Sequence, residues 1–383
     1  MARRGTDRGL HLPDLTISGF RGICHLSVGR LGRVTLLAGL NGAGKTTVLE
    51  AVQLYAGRAS AAVCESILEA RGDVTAVPDE EDAARRLAVP DYRRLFGWFS
   101  DPSEGSVVIG PNGSAPPMKL EMRALEDLLE TEDPRLPVRL SESDALALLV
   151  TIGTERMVVP VPSPEAPTSY RPLRPGRTFG QRRSFATDGF PPAIKCVSIG
   201  PAAADDRIMR DHWESVALGP DEERAIEALR IVHGPSVERV AFIGGSGRMS
   251  RDSTPIVKLK GEERPVPLRN LGDGAVRILA AALALANSRD GLLLIDEAEN
   301  GIHHLLQEDY WRMILQTAAD NNVQVLATTH NWDCITGFAS ASAELDHVEG
   351  RAVRIEHCGD SLRAVEYDEE MLTVAADQQI ELR

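Results

Sequence analysis

Lysine, cysteine and long apolar runs are all scarce in this sequence. Only five of the 42 Lys and Arg residues are lysines, so a lysine inside a motif stands out. The longest apolar run, residues 278–286, is far shorter than the roughly 20 residues that a bilayer requires, which argues against a membrane-spanning helix. The N-terminus is basic but continues with polar residues, so we expect no signal peptide.

The five cysteines are scattered along the chain without a CxxC pair. This spacing argues against a structural zinc site and against a disulfide framework, and it favours a reducing compartment. We therefore expect a soluble protein of the cytoplasm that has no membrane partner.

Acidic residues outnumber basic ones, with 56 Asp and Glu against 42 Lys and Arg and a formal net charge of −14. Coating nucleic acid requires a surplus of cations, so this balance excludes a generally basic nucleic-acid binder and leaves room for a local basic stripe. With 383 residues and 43% hydrophobic content, the chain can hold the cores of two or three domains, or one domain with a large insertion.

Apolar strands alternate with helical patterns towards both ends of the chain, which predicts an α/β fold. The first part reads as a strand over 33–38, a glycine-rich turn and a helix over 46–55. Further on, residues 274–287 form a helix that is too apolar for a surface, and Leu292–Ile295 and 323–328 are typical of buried parallel strands. We therefore predict a mixed sheet with a mostly parallel core.

Residues 59–192 differ in character from the segments on either side. Charge-rich stretches predict helices over 79–89 and 120–130, and apolar stretches predict strands over 106–109 and 157–161. Pro and Gly then accumulate between residues 160 and 192. We interpret this region as an insertion that forms a small α+β subdomain with a flexible exit.

Residues 39–46 read G-L-N-G-A-G-K-T and fit the pattern G-x-x-x-x-G-K-[ST] between an apolar strand and a helix, which is the context of a P-loop. Glycines let main-chain N–H groups converge on phosphates at the positive end of a helix. We expect Lys45 to reach the outer phosphates and Thr46 to offer its hydroxyl to Mg²⁺. The predicted nucleotide contacts in this loop are Asn41, Gly42, Ala43, Gly44, Lys45, Thr46 and Thr47.

Two adjacent carboxylates, Asp296 and Glu297, follow the buried strand Leu292–Ile295. Ligands bind at the carboxyl ends of strands in open α/β sheets. With a P-loop in the same chain, we predict that Asp296 holds Mg²⁺ directly or through water, and that Glu297 orients or deprotonates the attacking water. Without the P-loop, the pair would be interpreted as solvated acids at the end of a strand.

Glycines also open the apolar helix, in the run Asn270-Leu271-Gly272-Asp273-Gly274. Such a helix start is a second anion-binding terminus, which one nucleotide does not need on one subunit. We therefore predict that two subunits face each other head to tail, and that Leu271, Gly272, Asp273 and Gly274 of each bind the other's γ-phosphate. The plainer interpretation is an ordinary helix start in which Asp273 satisfies free amides.

A histidine, His330, ends the buried strand that follows the two carboxylates. At that position it can sense the γ-phosphate by hydrogen bonding, and we predict this catalytic role for it beside Glu297. A lone histidine is more often a packing residue, which is how we interpret His303 and His304.

Together these motifs resemble those of the ATP-binding-cassette (ABC) superfamily, in its branch of SMC, RecF and overcoming-lysogenization-defect (OLD) ATPases. Residues 15–22 read L-T-I-S-G-F-R-G and resemble the strand of that branch whose arginine approaches the nucleotide, which implies that Arg21 binds ATP. Residues 296–304 resemble its Walker B and D-loop segment, and residues 330–335 resemble the T-T-H-S-W-D-C-I stretch of OLD-like ATPases. The resemblance implies an ABC-type P-loop ATPase head that uses ATP and Mg²⁺.

The resemblance also implies a division of the chain into four segments. These are the two parts of the ATPase domain at 1–58 and 193–345, the inserted subdomain at 59–192, and a C-terminal extension at 346–383. Two departures stand out. Gly272 replaces the usual signature serine, so either contact across a dimer comes from backbone amides or the dimer is weaker, and no Q-loop glutamine can be assigned. Gln53 lies too early for that role, and Gln181 falls in a Pro-rich stretch.

The chain has no heptad run for an SMC arm, and too few residues follow His330 for the nuclease domain of full-length OLD proteins. The resemblance therefore implies the ATPase half of a two-gene antiphage system. Such a protein converts ATP and water to ADP and phosphate, forms a homodimer or larger homo-oligomer, and controls a separately encoded nuclease or toxin. The alternative is a RecF-like or SMC-like repair ATPase that acts directly on DNA. An intact Glu297 disfavours a scaffold that only binds nucleotide, and the lack of a membrane-coupling segment disfavours a transporter subunit.

Overall fold

The computed structural model describes residues 9–78, 86–97, 105–113, 115–124, 127–128, 146–161, 185–186, 189–201, 205–244, 253–359 and 361–378. The first ten strands are β1 (Leu15–Phe20), β2 (Ile23–Val28), β3 (Val34–Ala38), β4 (Val74–Pro78), β5 (Arg86–Pro90), β6 (Ser106–Gly110), β7 (Met118–Ala124), β8 (Leu146–Ile152), β9 (Glu155–Pro160) and β10 (Phe185–Ala186). The others are β11 (Cys196–Ile199), β12 (Val237–Gly244), β13 (Ser253–Leu259), β14 (Val266–Pro267), β15 (Leu292–Ile295), β16 (Gln324–Thr328), β17 (Gly350–Cys358) and β18 (Ser361–Tyr367). The helices are α1 (Lys45–Ala56), α2 (Ala61–Arg71), α3 (Asp206–Val216), α4 (Pro220–His233), α5 (Asp273–Asn287), α6 (Gln307–Asp320), α7 (Trp332–Glu344) and α8 (Glu369–Asp377). Within these described residues, no helix is long and apolar enough to span a bilayer.

Six strands form the central sheet, in the order β11-β15-β16-β3-β17-β18. The first five run parallel to one another, and β18 returns antiparallel to β17. Every residue of β3, β15 and β16 is buried, as expected for parallel strands that are covered on both faces. The predicted α/β fold with a mixed, mostly parallel sheet is confirmed.

Alternate residues of the central strands point into two separate cores. Leu36 and Leu293 belong to the core that α5, α6 and α7 cover. Leu37 and Leu294 belong to the core on the other face, which surrounds α1. The predicted apolar helix is α5, which is buried along most of its length because it packs against the sheet and its neighbouring helices.

A second sheet of seven antiparallel strands has the order β10-β9-β8-β7-β6-β1-β2. Residues of β1, β6 and β8 share a core with α1 and with the central sheet, so α1 lies between the two sheets. The strands from the 59–192 segment therefore continue a sheet that β1 and β2 begin, instead of packing only among themselves.

Two helices predicted in the 59–192 segment are wrong where they overlap strands, although residues 127–128 of the second prediction are helical. Residues 120–124 of one prediction lie in β7, and residues 86–89 of the other lie in β5, while 79–85 fall outside the described residues. Buried and partly exposed residues alternate along β7, which is the period of a strand. The charged residues on its outer side hide this alternation in the sequence. The two predicted strands are confirmed as parts of β6 and β9.

Three short strands, β12, β13 and β14, form a small antiparallel sheet that packs against α3 and α4. The rings of Trp213 on α3 and Phe242 on β12 lie 5.9 Å apart between their centroids. From β14 the chain passes through a single 3₁₀ turn, Leu268–Leu271, into α5. This layer therefore fixes where α5 begins.

Candidate functional site

The loop between β3 and α1 wraps around the N-terminal end of α1. Gly44 precedes the helix with φ of 85°, in the left-handed region that favours glycine. A side chain at Gly39 would place its Cβ 2.5 Å from the carbonyl oxygen of Ile355. No described side chain caps α1, so the first main-chain N–H groups of the helix are available to an anion.

Lys45, the first residue of α1, is 8% exposed and lies across this loop. Its Nζ donates to the carbonyl oxygens of Gly39 at 2.7 Å and Leu40 at 2.9 Å. Burial lowers the pKa of Lys45, and the negative charges of Glu299 and the Asp296–Glu297 pair offset part of that shift. The ammonium group therefore lies near three carboxylates at the mouth of the loop.

Asp296 lies at the end of β15 and is fixed from two directions. The hydroxyl of Thr46 donates to its carboxylate at 3.0 Å, and the hydroxyl of Thr328, the last residue of β16, donates to Oδ1 at 2.5 Å. A hydroxyl and a carboxylate are hard oxygen donors of the kind that Mg²⁺ prefers. In the described part of the chain, no group of three or more His, Cys, Asp or Glu could hold a metal alone. The Thr46 hydroxyl and the Asp296 carboxylate therefore fit a metal ion that completes its coordination with phosphate oxygens.

Glu297 adopts φ of +49°, a conformation that non-glycine residues rarely occupy. Its main-chain N–H donates to the Thr328 hydroxyl at 2.8 Å. Its carboxylate accepts a hydrogen bond from the Asn300 side-chain amide at 2.5 Å. The unusual backbone turns Glu297 away from the strand direction, and both ends of the residue are held by hydrogen bonds.

His330 lies just after β16 and is 39% exposed. Its main-chain N–H donates to Oε1 of Glu299 at 3.0 Å, and its Nδ1 lies 3.3 Å from the same oxygen. Glu299 is almost fully buried, at 6% exposed. This carboxylate therefore orients the imidazole and leaves Nε2 free to face a ligand.

The glycine turn before α5 is open to solvent. Gly272 has φ of 94° with no atom within 4 Å of the position of an added Cβ, and Asp273 is the exposed first residue of the helix. Among the described residues, Asp273 accepts no capping hydrogen bond, which disfavours its interpretation as an ordinary cap. Gly274 packs against the segment after Glu297, because an added Cβ would lie 2.9 Å from the carbonyl oxygen of Gly301. Leu271, the residue before the turn, accepts a hydrogen bond from His233.

Arg21 lies beside α1 and is 8% exposed. Its Nη1 lies 2.7 Å from Asp73, and its Nε lies 3.3 Å from Glu50 on α1. The described hydrogen bonds and ion pairs join it to no residue of the P-loop. Its Nη2 has no hydrogen-bond partner among the described residues, so this nitrogen keeps a donor for a ligand.

The structure thus brings together Lys45, Thr46, Asp296, Glu297 and His330, and it leaves the Gly272 turn and Arg21 outside this group.

A neighbouring cavity of about 330 Å³ is lined on one side by Asn41, Gly42 and Ala43, and its other wall is the end of β17. A larger cavity, about 470 Å³, lies on the outer side of β7, β8 and β9 and contains none of the predicted site residues. Of the two glutamines considered for a Q-loop, Gln53 lies in α1 and Gln181 lies outside the described residues.

Sequence reasoning missed four residues that hold the site together. These are Thr328, Glu299, Asn300 and Arg277, which act on Asp296, His330 or Glu297 through hydrogen bonds. Three of them lie within or next to the motifs, and closeness to the motifs in the sequence is the only feature that indicates their role in the site. Arg277 lies on α5, and its partners are main-chain carbonyls that no sequence pattern marks.

Comparison with known proteins gives two sequence matches. The family model "AAA domain, putative AbiEii toxin, Type IV TA system" matches residues 243–333, which contain the Gly272 turn, both acids and His330. The chain is also 34% identical over 92 residues to the uncharacterized protein MJECL11 of Methanocaldococcus jannaschii. That match covers 24% of this chain and 80% of MJECL11.

The fold is also similar to three solved structures of SMC heads. One is a head bound to the C-terminal winged-helix domain of ScpA, with a TM-score of 0.47, 12% identity, and 94% and 98% of the two chains covered. A second is the SMC head domain of Thermotoga maritima, with a TM-score of 0.41, 12% identity, and 94% and 100% covered. The third is a head from Pyrococcus furiosus with an extended coiled coil, bound to the C-terminal domain of ScpA, with a TM-score of 0.47, 10% identity, and 97% and 99% covered.

Proposed function

We propose that this chain, which belongs to the same family as MJECL11 and is a P-loop ATPase of the ABC/AAA class, hydrolyses ATP in a homodimer whose two sites are each completed by the partner subunit. The observation that carries this proposal is the 3.0 Å contact between Thr46 and Asp296. It joins the P-loop helix to the end of β15, although the two residues are 250 positions apart. Such a contact supports the proposal that the loop binds phosphates and that Asp296 binds the metal ion of the same ligand.

Each residue of the group has a separate proposed role. Lys45 exchanges the two loop carbonyls for the outer phosphates, a change that its position across the loop allows. Thr46 and Asp296 hold Mg²⁺, which neutralises charge that develops on the phosphates. Glu297 takes the proton of the attacking water, and His330 donates a hydrogen bond to the γ-phosphate.

The open Gly272 turn supports the composite site. Its main-chain N–H groups lie at the start of α5, without a capping side chain among the described residues. We propose that Leu271, Gly272, Asp273 and Gly274 complete the partner's site, with the main-chain amides of Asp273 and Gly274 as donors, because the Gly272 N–H already donates to the carbonyl oxygen of Arg269.

The P-loop residues that surround Lys45 complete the proposed nucleotide contacts. Asn41, Gly42, Ala43, Gly44 and Thr47 contribute main-chain N–H groups to the phosphates, as the resemblance to ABC ATPases implies. Arg21 joins them through its Nη2, which has no hydrogen-bond partner among the described residues. The proposed domain division, with its boundaries at residues 58, 192 and 345, places all of these groups in the two parts of the ATPase domain.

The biological role is proposed from the sequence resemblance and from the family description. We propose that ATP binding changes the oligomer geometry of this cytoplasmic protein and licenses a separately encoded nuclease or toxin during phage infection, and that hydrolysis resets it. The matching family model names a toxin of a Type IV toxin–antitoxin system, which supports a defence role. Direct binding to DNA is the competing proposal, and it predicts an affinity that falls steeply as salt rises.

The central test is the ATPase activity of the Glu297→Gln variant, which keeps the shape and the Asn300 contact but removes the base. We expect ATP binding to persist and turnover to fall by about 10²-fold or more. The Lys45→Ala variant serves as the comparison, since it should lose ATP binding itself. Turnover of Glu297→Gln at the wild-type rate would remove Glu297 from its role.

A further inference from the structure

Arg277 is a buried cation on α5, and it contacts three loop carbonyls of the site. It is 4% exposed. Its guanidinium donates to the carbonyl oxygen of Gly200 at 2.6 Å, to that of Asp296 at 2.6 Å and to that of Glu297 at 2.9 Å. One side chain therefore joins the ends of β11 and β15 to α5.

Packing alone does not require a charged side chain at Arg277. Among the described residues, no carboxylate lies within ion-pair distance of its guanidinium, and its Nε has no hydrogen-bond partner. A buried cation without an ion-pair partner is unfavourable compared with an apolar side chain of similar volume. A buried charge that packing does not require indicates that the three carbonyl contacts have a function.

The contact with Glu297 falls on a strained residue. The φ of +49° at Glu297 persists only where neighbouring groups hold it. Thr328 accepts from its N–H, and Arg277 donates to its carbonyl, so the peptide groups on both sides are fixed. Without Arg277, this peptide can relax and displace the carboxylate from the attacking water.

Arg277 also lies one helical turn after Asp273, on the same side of α5. The turn that we propose to face the partner's nucleotide and the side chain that holds Glu297 therefore belong to one rigid element. We infer that Arg277 is a positioning residue for Glu297, which ties the catalytic carboxylate to the position of the helix that senses the partner. This inference rests on the proposed hydrolysis at this site.

A double-mutant cycle tests the inference, with Arg277→Met, Glu297→Gln and the double variant. Arg277→Met keeps the length of the side chain but removes its donors and its charge. We expect its kcat to fall about 100-fold, the loss that a displacement of about 1 Å can produce, while the dissociation constant for ATP stays within about 3-fold of wild type. In the Glu297→Gln background, the same change should cause no further loss.

Two further variants sharpen the result. Arg277→Lys keeps the charge but cannot reach three carbonyls together, so its kcat should fall between those of wild type and Arg277→Met. Arg224→Met is the matched control, because Arg224 contacts Asn321 and Asp320 near the N-terminal end of β16, away from the site, and its kcat should not change. If Arg277→Met fails to bind ATP, Arg277→Lys replaces it in the same cycle.

The outcomes separate this inference from the proposed function. Two results would overturn the positioning role, provided that Glu297→Gln is inactive. One is a wild-type kcat in the Arg277 variant that binds ATP. The other is an equal loss of kcat from the Arg277 substitution in the wild-type and Glu297→Gln backgrounds. Wild-type turnover of Glu297→Gln alone would instead overturn the proposed function.

Discussion

At the scale of single residues, the site depends on groups that orient other groups. Asp296 accepts from Thr46 and Thr328, and Thr328 also receives the N–H of Glu297. One hydroxyl therefore links the proposed metal ligand to the proposed base. Removing such an outer partner typically weakens metal affinity or activity by about 10- to 100-fold.

The Thr328→Val variant tests this link without changing the shape of the side chain. We expect the Mg²⁺ concentration for half-maximal ATP turnover to rise about 10-fold, because Asp296 loses one of its two hydroxyl contacts. Thr35→Val is the control, since Thr35 is equally buried but accepts from Gly32 at the other end of β3. A Mg²⁺ dependence that is identical in both variants would show that Thr328 does not orient Asp296.

At the scale of elements, the start of α1 depends on a backbone conformation that only glycine adopts easily. Gly44 has φ of 85° at the N-terminal end of α1, and Gly72 has φ of 71° at the C-terminal end of α2. An added Cβ would meet Leu362 at 3.1 Å in the first case and nothing within 4 Å in the second. Both positions have a positive φ, but only one adjoins the proposed nucleotide site.

Replacing each of these glycines with alanine should therefore separate an effect on folding stability from an effect on ATP binding. We expect Gly44→Ala and Gly72→Ala each to lower the free energy of unfolding by about 1–2 kcal/mol, measured by urea denaturation. Only Gly44→Ala should weaken ATP binding, by 10-fold or more, measured by titration with a fluorescent nucleotide. Equal ATP affinity in the two variants would contradict the assignment of this loop.

The elements that carry motifs could be predicted because their signals are local. A buried strand, a glycine turn and Lys45 lie within about a dozen residues, and Asp296 directly follows its strand. The pairing of β6 with β1 could not be predicted, because it joins segments about 90 residues apart. The sequence pattern predicts a helix over part of β7 because the charged residues occupy one side of a two-residue alternation.

Contacts between distant elements also account for the residues that were missed. Arg277 meets Gly200 and Glu297, which lie 77 and 20 positions away in the sequence. Its acceptors are main-chain carbonyls, which every residue carries, so no residue type identifies them. Glu299 has a visible charge, but its partner His330 lies just after β16, the next strand along the chain.

At the scale of the whole molecule, one chain holds both halves of the proposed site without bringing them together. Lys45, Thr46 and Asp296 converge, whereas Gly272 and Asp273 face solvent. A two-fold head-to-tail dimer places each exposed turn against the other P-loop, so both sites form at once. The proposed coupling of ATP to oligomer geometry follows from this division.

Mixing two inactive variants tests that division most directly. Lys45→Ala lacks its own phosphate contact but keeps an intact turn at Gly272, and Asp273→Arg keeps its P-loop but blocks the exposed turn. A heterodimer of the two contains one complete site, so an equal mixture should recover about a quarter of the wild-type ATPase rate, since half of the dimers carry one of two sites. A mixture that stays as inactive as either variant alone, with both still folded, would contradict the composite site.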